Sequence, residues 1–365
     1  MSLSPSFHPV SFAELPNWHE DDHLAAFAAF RRCAFQALVK PYRSGSLGVD
    51  FAAFSESYAA ARTVSPANRS EARAFFEEFF VPAKVGGDPG LVTGFYEPEV
   101  EASPVRTARC RIPLLSRPAD LVDIDDANRP RGMDPYLVYA RGAPGGAVEY
   151  FDRGEIERGA LADQGLEIAW LADKVDAFFI HVQGAARLAM TDGRMMRVTY
   201  TSKSGQRFTG PGRVLADLGE IPLEKVTMQS IRGWLKANPG RVDEILWHNR
   251  SYIFFREAPV EDPALGPIAA AKVPLTPGRS IAVDRLLHTF GTPFYIDAPA
   301  LTAFGENGFC RLMIAQDTGS AINGPARGDL FSGSGDAAGE IAGVVRDAAD
   351  FYALLPRSLV SDTNR

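Results

Sequence analysis

The chain has 365 residues, 46% of them hydrophobic, and a formal charge of −7. That length buries a sizeable core and predicts two domains at roughly 150 residues each. The basic residues are thinly spread, without runs interleaved with aromatics, which excludes nucleic acid as a partner.

Asp21 and Asp22 precede Leu24, Phe27, Ala28, Phe30, Ala34, Phe35 and Leu38 at helical spacing, and Pro41 stops the pattern. Phe51, Phe54, Tyr58 and Ala61 predict a second helix. Phe75, Phe76, Phe79 and Phe80 predict a third, with Asn68 and Glu71 as a capping box and Pro82 as its end. These aromatic stripes read as core. After a glycine-rich break at 86–90, residues 91–100 are strand-like, and from Glu101 to Tyr150 short runs such as Ile112–Leu115 and Tyr136–Ala140 suggest strands of a small barrel. Glu155–Leu161 predicts a short helix or turn. Ala177–Val182 reads as an apolar strand ending at Gln183-Gly184, and Met195–Thr201 as another strand with a hairpin candidate at Lys203–Gln206. Thr227–Lys236 and Val242–His248 return to helix. Pro259–Pro267 reads as a linker, followed by strands at Lys272–Leu275, Ser280–Asp284 and Gly291–Asp297. Residues 358–365 read as a loose polar end.

Cys33, Cys110 and Cys310 form no C-x-x-C pair and the six histidines show no ligand spacing, so neither a metal nor another cofactor is expected. Cys310 reads as a small buried residue. No run of about 18 apolar residues predicts a membrane span. The start, MSLSPSFHPVSF, lacks the features of a secretory signal, which read literally means cytoplasmic; a signal removed ahead of it leaves the same start, and both readings stay open.

The chemistry concentrates at Arg311–Gly335. An apolar strand, Leu312–Ala315, delivers Asp317 to a glycine-rich turn, and Arg327-Gly-Asp329 presents a second aspartate ahead of Ser332-Gly-Ser-Gly335. Asp317-Thr-Gly-Ser320 after a strand matches the aspartic protease motif, but such enzymes need a second copy or a half-size subunit, and this chain has one copy at full length. A glycan-cleaving enzyme needs one protonated carboxyl beside the glycosidic oxygen. Asp329 is the better candidate, since Leu330 and Phe331 would raise its pKa while Arg327 opposes that rise. The residues alone leave open the alternative that both aspartates cap turns.

Asp317–Gly324, Arg327–Phe331 and Gly333–Gly335 together resemble the C-terminal motif of the membrane-bound lytic murein transglycosylase A family, whose 3D-type domain is named for its aspartates. Thr93–Pro98, Glu155-Ile156 with Gly159–Leu161, Val182–Gly184, Gly212–Leu215, Met228–Arg232 and Ser280–Arg285 match further family segments in the same order. The resemblance implies an α+β fold, mainly β. Residues 1–100 and 257–365 would form a double-psi β-barrel catalytic domain with N-terminal helices, and 101–256 an inserted β-rich substrate-binding domain. It implies a monomer acting on peptidoglycan at the periplasmic face of the envelope, associated with the outer membrane. Asp329 would be the acid and then the base, Asp317 a supporting aspartate. Thr93, Gly94, Tyr96, Gln183, Gly184, Asp284, Gly319, Ser320 and Ala321 would line the sugar site. Val182–Ala186 departs from the family's V-Q-G-S-G by losing a hydroxyl and a glycine, and Ser320 replaces a common glycine. A hydrolase on the same barrel, or an inactive glycan-binding module, is the alternative.

Overall fold

The computed structural model describes residues 3–86 and 90–361. The chain folds into two compact units, one built from Met1–Tyr96 with Pro263–Arg365 and the other from Glu97–Asp262.

The first unit begins with β1 (Phe7–Pro9), α1 (His23–Val39), α2 (Ser55–Thr63), α3 (Arg69–Phe79), β2 (Phe80–Val85) and β3 (Gly90–Glu97). Asp22 caps α1 by accepting from the Ala25 N–H, and Asn68 caps α3 by accepting from Glu71. Phe27, Phe30, Phe54, Tyr58, Phe75, Phe76 and Phe80 are all buried in one core. Two expectations need correction. Phe80 has left the third helix and starts β2, so Pro82 lies within a strand, opposite Leu354 on β17 (Arg346–Pro356), and does not set the helix end. Phe35 and Leu38 share the helical spacing but are 48% and 66% exposed. Of the glycine-rich break at 86–90, residues 87–89 lie outside the described residues.

The second unit holds β4 (Glu99–Ser103), β5 (Ile112–Leu115), β6 (Leu121–Asp123), β7 (Tyr139–Ala143), β8 (Gly146–Val148), α4 (Arg153–Glu155), β9 (Glu167–Leu171), α5 (Lys174–Gln183), β10 (Ala185–Met190), β11 (Met195–Lys203), α6 (Pro211–Asp217), α7 (Met228–Ala237), α8 (Val242–Trp247) and β12 (Ile253–Ala258). A six-stranded sheet runs β12-β11-β10-β4-β9-β5, and a parallel bridge from Ser116 to Phe255 brings its two outer strands together. The runs before Tyr150 are thus shared between this sheet and a three-stranded β6-β7-β8 sheet, with β7 starting at Tyr139 and not Tyr136.

Ala177–Val182 is helical, contrary to the strand its residues predict. Asp173 caps the helix through the Val175 and Asp176 N–H groups, and Gly184 ends it at φ 78°. Ala177 and Ile180 enter one core while Phe178 and Phe179 enter another, so the helix is apolar on both sides and its run carries no period. Lys203–Gln206 makes no hairpin, because β11 pairs with β12 some fifty residues on; the hairpin is β10–β11, turning at Gly193 with φ 87°.

The chain then returns to the first unit with β13 (Ser280–Val283), β14 (Pro293–Ala298), β15 (Phe309–Asp317), β16 (Arg327–Ser334), α9 (Asp336–Ala342), β17 and α10 (Arg357–Ser361). Strand β17 is long enough to pair with β3 near its start, β14 in its middle and β2 at its end. The order β17-β14-β15-β13-β16-β3 therefore closes on itself, with β2 and β1 extending outward from β17. Such closure leaves no unpaired edge in the ring. Its staves bury Phe294, Tyr295, Ile296, Leu312, Ile314 and Leu330 completely. Asp21 pins the start of α1 to this ring by pairing with Arg279 at 2.7 and 2.9 Å and accepting from the Leu312 N–H at 2.7 Å. Lys272–Leu275 forms no strand beyond an Ile268–Pro274 bridge, and Lys272 itself has a φ of 62°. Cys310 is half-buried rather than buried, its thiol donating to Asp297 at 3.2 Å. Of the expected loose end, 358–361 belong to α10 and the residues after them lie outside the described ones.

Candidate active site

Strand β13 lies between β15 and β16, and its Ala282 is the register partner of Asp317 on one side and of Asp329 on the other. The two aspartates are therefore about two strand spacings apart, roughly 9–10 Å between Cα atoms. Ala282 packs with Phe95, Leu275, Ile322 and Phe331 in a small apolar cluster separate from the main core. Asp329 sits within β16 and not on a glycine-rich loop, so the sheet ladder fixes its backbone.

The carboxyl of Asp329 has a specific partner. Thr93 on β3 donates its hydroxyl to Oδ1 at 2.5 Å, and Arg327 Nη2 donates to the same Thr93 oxygen at 2.8 Å. A guanidinium can only donate, so Thr93 accepts from Arg327 and directs its one proton to Asp329. Arg327 also donates to the Gly328 carbonyl and to the Leu91 carbonyl at 3.5 Å. Burial raises the pKa of Asp329, and the Thr93 hydroxyl and the Arg327 charge oppose that rise without cancelling it.

Burial likewise raises Asp317, to about 6, against hydrogen bonds from the Thr318 and Ala270 N–H groups and the charge of Lys272; the charge of Asp329 adds to the rise. A carboxyl easier to protonate when folded than at its ordinary 3.8 makes the fold gain stability as pH falls from above 6 towards 4. Asp317→Asn keeps a carbonyl for the Ala270 N–H and removes the partly buried charge. It is expected to stabilise the protein by about 2 kcal/mol at pH 7.5 and to flatten this part of the pH dependence. Urea melts at pH 5 and 7.5 measure both, and an unchanged pH slope in the variant refutes the assignment.

Gly319, Ser320 and Ala321 are exposed on the loop joining β15 to β16. That loop is fastened beyond them, where Asp284 accepts from the Gly324 N–H at 3.0 Å and from Leu286 N–H at 3.0 Å. His288 Nε2 donates to the Pro325 carbonyl at 2.8 Å, and burial pushes its pKa down to about 4, so it does so as a neutral ring. Gly94 lies where α9 crosses β3, since a Cβ there would come 2.8 Å from Ala342 Cα. Tyr96 is buried, with its ring against Gly339. Gln183 and Gly184 belong to the other unit, at the end of α5, where the Gly184 carbonyl accepts from the Tyr200 N–H at 2.8 Å. The relay through Thr93 was missed from sequence, although Arg327 and Asp329 are two apart and so share a strand face. Neither His288 nor Lys272 carries a local signal of its place.

Residues 91–256 match the MltA specific insert domain and residues 279–355 match the 3D domain. A membrane-bound lytic murein transglycosylase from Agrobacterium tumefaciens is 49% identical and superimposes with a TM-score of 0.93, covering 99% of this chain and 100% of its own. The chain belongs to the membrane-bound lytic murein transglycosylase A family. MltA from Neisseria gonorrhoeae is 31% identical with a TM-score of 0.78 over 96% of this chain and 92% of that one. Membrane-bound lytic murein transglycosylase A of Vibrio cholerae is 33% identical over 226 residues, 60% of this chain and 59% of that relative. The match thus spans about three fifths of the length of this curated member of the family.

Proposed function

We propose that this chain is a peptidoglycan lytic transglycosylase in which Asp329 acts first as acid and then as base. The observation that carries the reading is the Thr93 hydroxyl, which fixes one oxygen of a carboxyl that burial keeps towards its protonated form. Its other oxygen is the one to protonate the glycosidic oxygen between N-acetylmuramic acid and N-acetylglucosamine. The departing bond leaves an oxocarbenium-like or oxazolinium species at the muramic C1. Asp329, now ionised and steadied by Thr93 and Arg327, takes the proton of the muramyl 6-hydroxyl as that oxygen closes onto C1. No water is consumed, so the second carboxylate of an inverting hydrolase is dispensable. In this reading Asp317 supports the end of β15, and its raised pKa reflects a structural cost.

The closed ring built from both ends of the chain supports a double-psi β-barrel as the catalytic domain, with the 101–256 region as a substrate-binding insert. In this reading Gly319–Ala321, exposed beside Asp317, meet the glycan and Thr93, Gly94, Tyr96 and Asp284 shape the site, while Gln183 and Gly184 are glycan contacts of the insert itself. The words membrane-bound in the relatives' names support an association with the cell envelope, and action on peptidoglycan would put the chain at its periplasmic face. Among the described residues no helix is long and apolar enough to cross a membrane.

Digestion of purified sacculi, with released muropeptides read by mass spectrometry, tests the reaction. Anhydro ends, lighter than reducing ends by one water, are expected. Reducing ends would make the enzyme a hydrolase with Asp317 as candidate base, and binding without release would make it a glycan-binding module.

A further inference from the structure

Strand β17 opens with an arginine beside the candidate acid. Arg346 is the register partner of Thr93 across the antiparallel β17–β3 pair. Directly opposed residues of such a pair share one face of the sheet, with Cβ atoms about 5 Å apart. Arg346 therefore stands on the face where Thr93 donates to Asp329 and Arg327 donates to Thr93. Alternation along β17 agrees, since Val345 and Ala349 enter the main core while Arg346 and Ala348 are exposed.

Among the described residues the Arg346 guanidinium has no carboxylate or carbonyl partner, and the residue's one hydrogen bond runs from its backbone N–H to the Asp347 carboxylate at 3.1 Å. Asp347 itself alternates to the other face of the strand. What Arg346 does feel is a second cation. Burial lowers the pKa of Arg327, the charge of Asp329 opposes that fall and the charge of Arg346 adds to it. Like charges side by side on a sheet are unfavourable, and this chain of net charge −7 carries carboxylates enough to pair them. Once Asp329 is protonated, as the acid of the proposed reaction must be, two guanidiniums face the site with no anion between them.

We propose that Arg346 binds a carboxylate of the peptidoglycan strand, carried by the lactyl group of a muramic acid without peptide or by the peptide stem attached to it. A guanidinium presents a planar fork that takes a carboxylate through two parallel hydrogen bonds, so this contact fixes where the muramic sugar lies relative to Asp329. Strands of N-acetylglucosamine alone lack the group, and Arg346 thereby favours the muramic sugar. The inference rests on the reading of this chain as a peptidoglycan-cleaving enzyme.

The full chain, Arg346→Gln and Arg346→Lys are to be compared on intact sacculi, on glycan strands stripped of stems by an amidase, and on the same stripped strands with their lactyl carboxylates converted to neutral methylamides. Arg346→Gln is expected to raise the apparent KM about tenfold or more on the substrate whose carboxylate it meets, with kcat within about twofold, and to leave the neutral strands unaffected. Its thermal stability should not change, because the side chain is exposed. Arg346→Lys should recover part of the loss. An effect on sacculi alone places the carboxylate on the stem, and an effect on the charged stripped strands alone places it on the lactyl group. Equal KM values for parent and glutamine variant on all three substrates overturn the proposal, as does a loss just as large on the neutral strands. If the parent cleaves none of them, the reaction assigned to Asp329 fails, and calorimetric binding of charged and neutral stripped strands and of soluble stem-bearing fragments decides the carboxylate contact by itself.

Discussion

Asp329→Asn is expected to lower the release of fragments from sacculi by about a thousandfold or more while leaving the protein folded, because in the proposed reaction it removes the one group that gives and takes the proton in both steps. The substitution is nearly isosteric. Thr93 keeps its hydrogen bond to Oδ1, and a neutral group replaces one whose charged form burial disfavours, so urea stability should hold or rise. Thr93→Val makes the informative contrast. It leaves the carboxyl and removes the hydroxyl that lowers its pKa, together with the acceptor for Arg327. In the proposed reaction activity needs Asp329 protonated and falls as pH rises through its pKa. The valine variant should therefore be about tenfold slower, from a misoriented acid and a guanidinium that has lost one acceptor, with its alkaline limb moved to higher pH. Turnover of Asp329→Asn within tenfold of the parent would remove Asp329 from the role, and a valine variant with an unmoved limb would remove Thr93.

What was legible in the chain was what local physics decides. Asp22 and Asn68 announced the starts of α1 and α3, the switch from apolar run to Asp317 marked the end of β15, and Leu312–Ala315 read correctly as buried. Errors arose where the tertiary environment overrode the local pattern. Ala177–Val182 has the residues of a strand and becomes a helix because cores on both sides erase its period. Phe80 and Pro82 join a strand because β17 supplies a partner from the far end of the chain. For the site, the aspartates were visible as residue types in a pattern. Their common neighbour Ala282 was not, because it depends on β13 pairing with two strands in opposite senses. The loop fastening by His288 and Asp284 is equally non-local, joining residues about forty positions apart.

Glu97 carries the largest stability effect expected in the chain. Arg187 on β10 and Arg197 on β11 are direct cross-strand partners, and both are buried, an arrangement that alone would repel. Glu97, with no exposed surface, separates their charges by accepting from Arg197 Nε at 2.5 Å, from Arg187 Nε at 2.9 Å and from Arg197 Nη2 at 2.9 Å. Glu97→Ala removes the carboxylate that three buried hydrogen bonds from the two guanidiniums share, and is expected to cost about 3–5 kcal/mol. Such a loss is a large share of the marginal stability of an ordinary domain, so the variant should be partly unfolded at 37 °C. Urea melts followed by the fluorescence of tryptophans in the 97–262 unit measure it, and a loss below about 1 kcal/mol would mean that the arginines find other partners. The compensating experiment separates charge from packing. Replacing all three residues together with methionine removes their three charges at similar volume and should recover most of the loss, as expected when the destabilisation comes from broken charge pairing and not from a cavity.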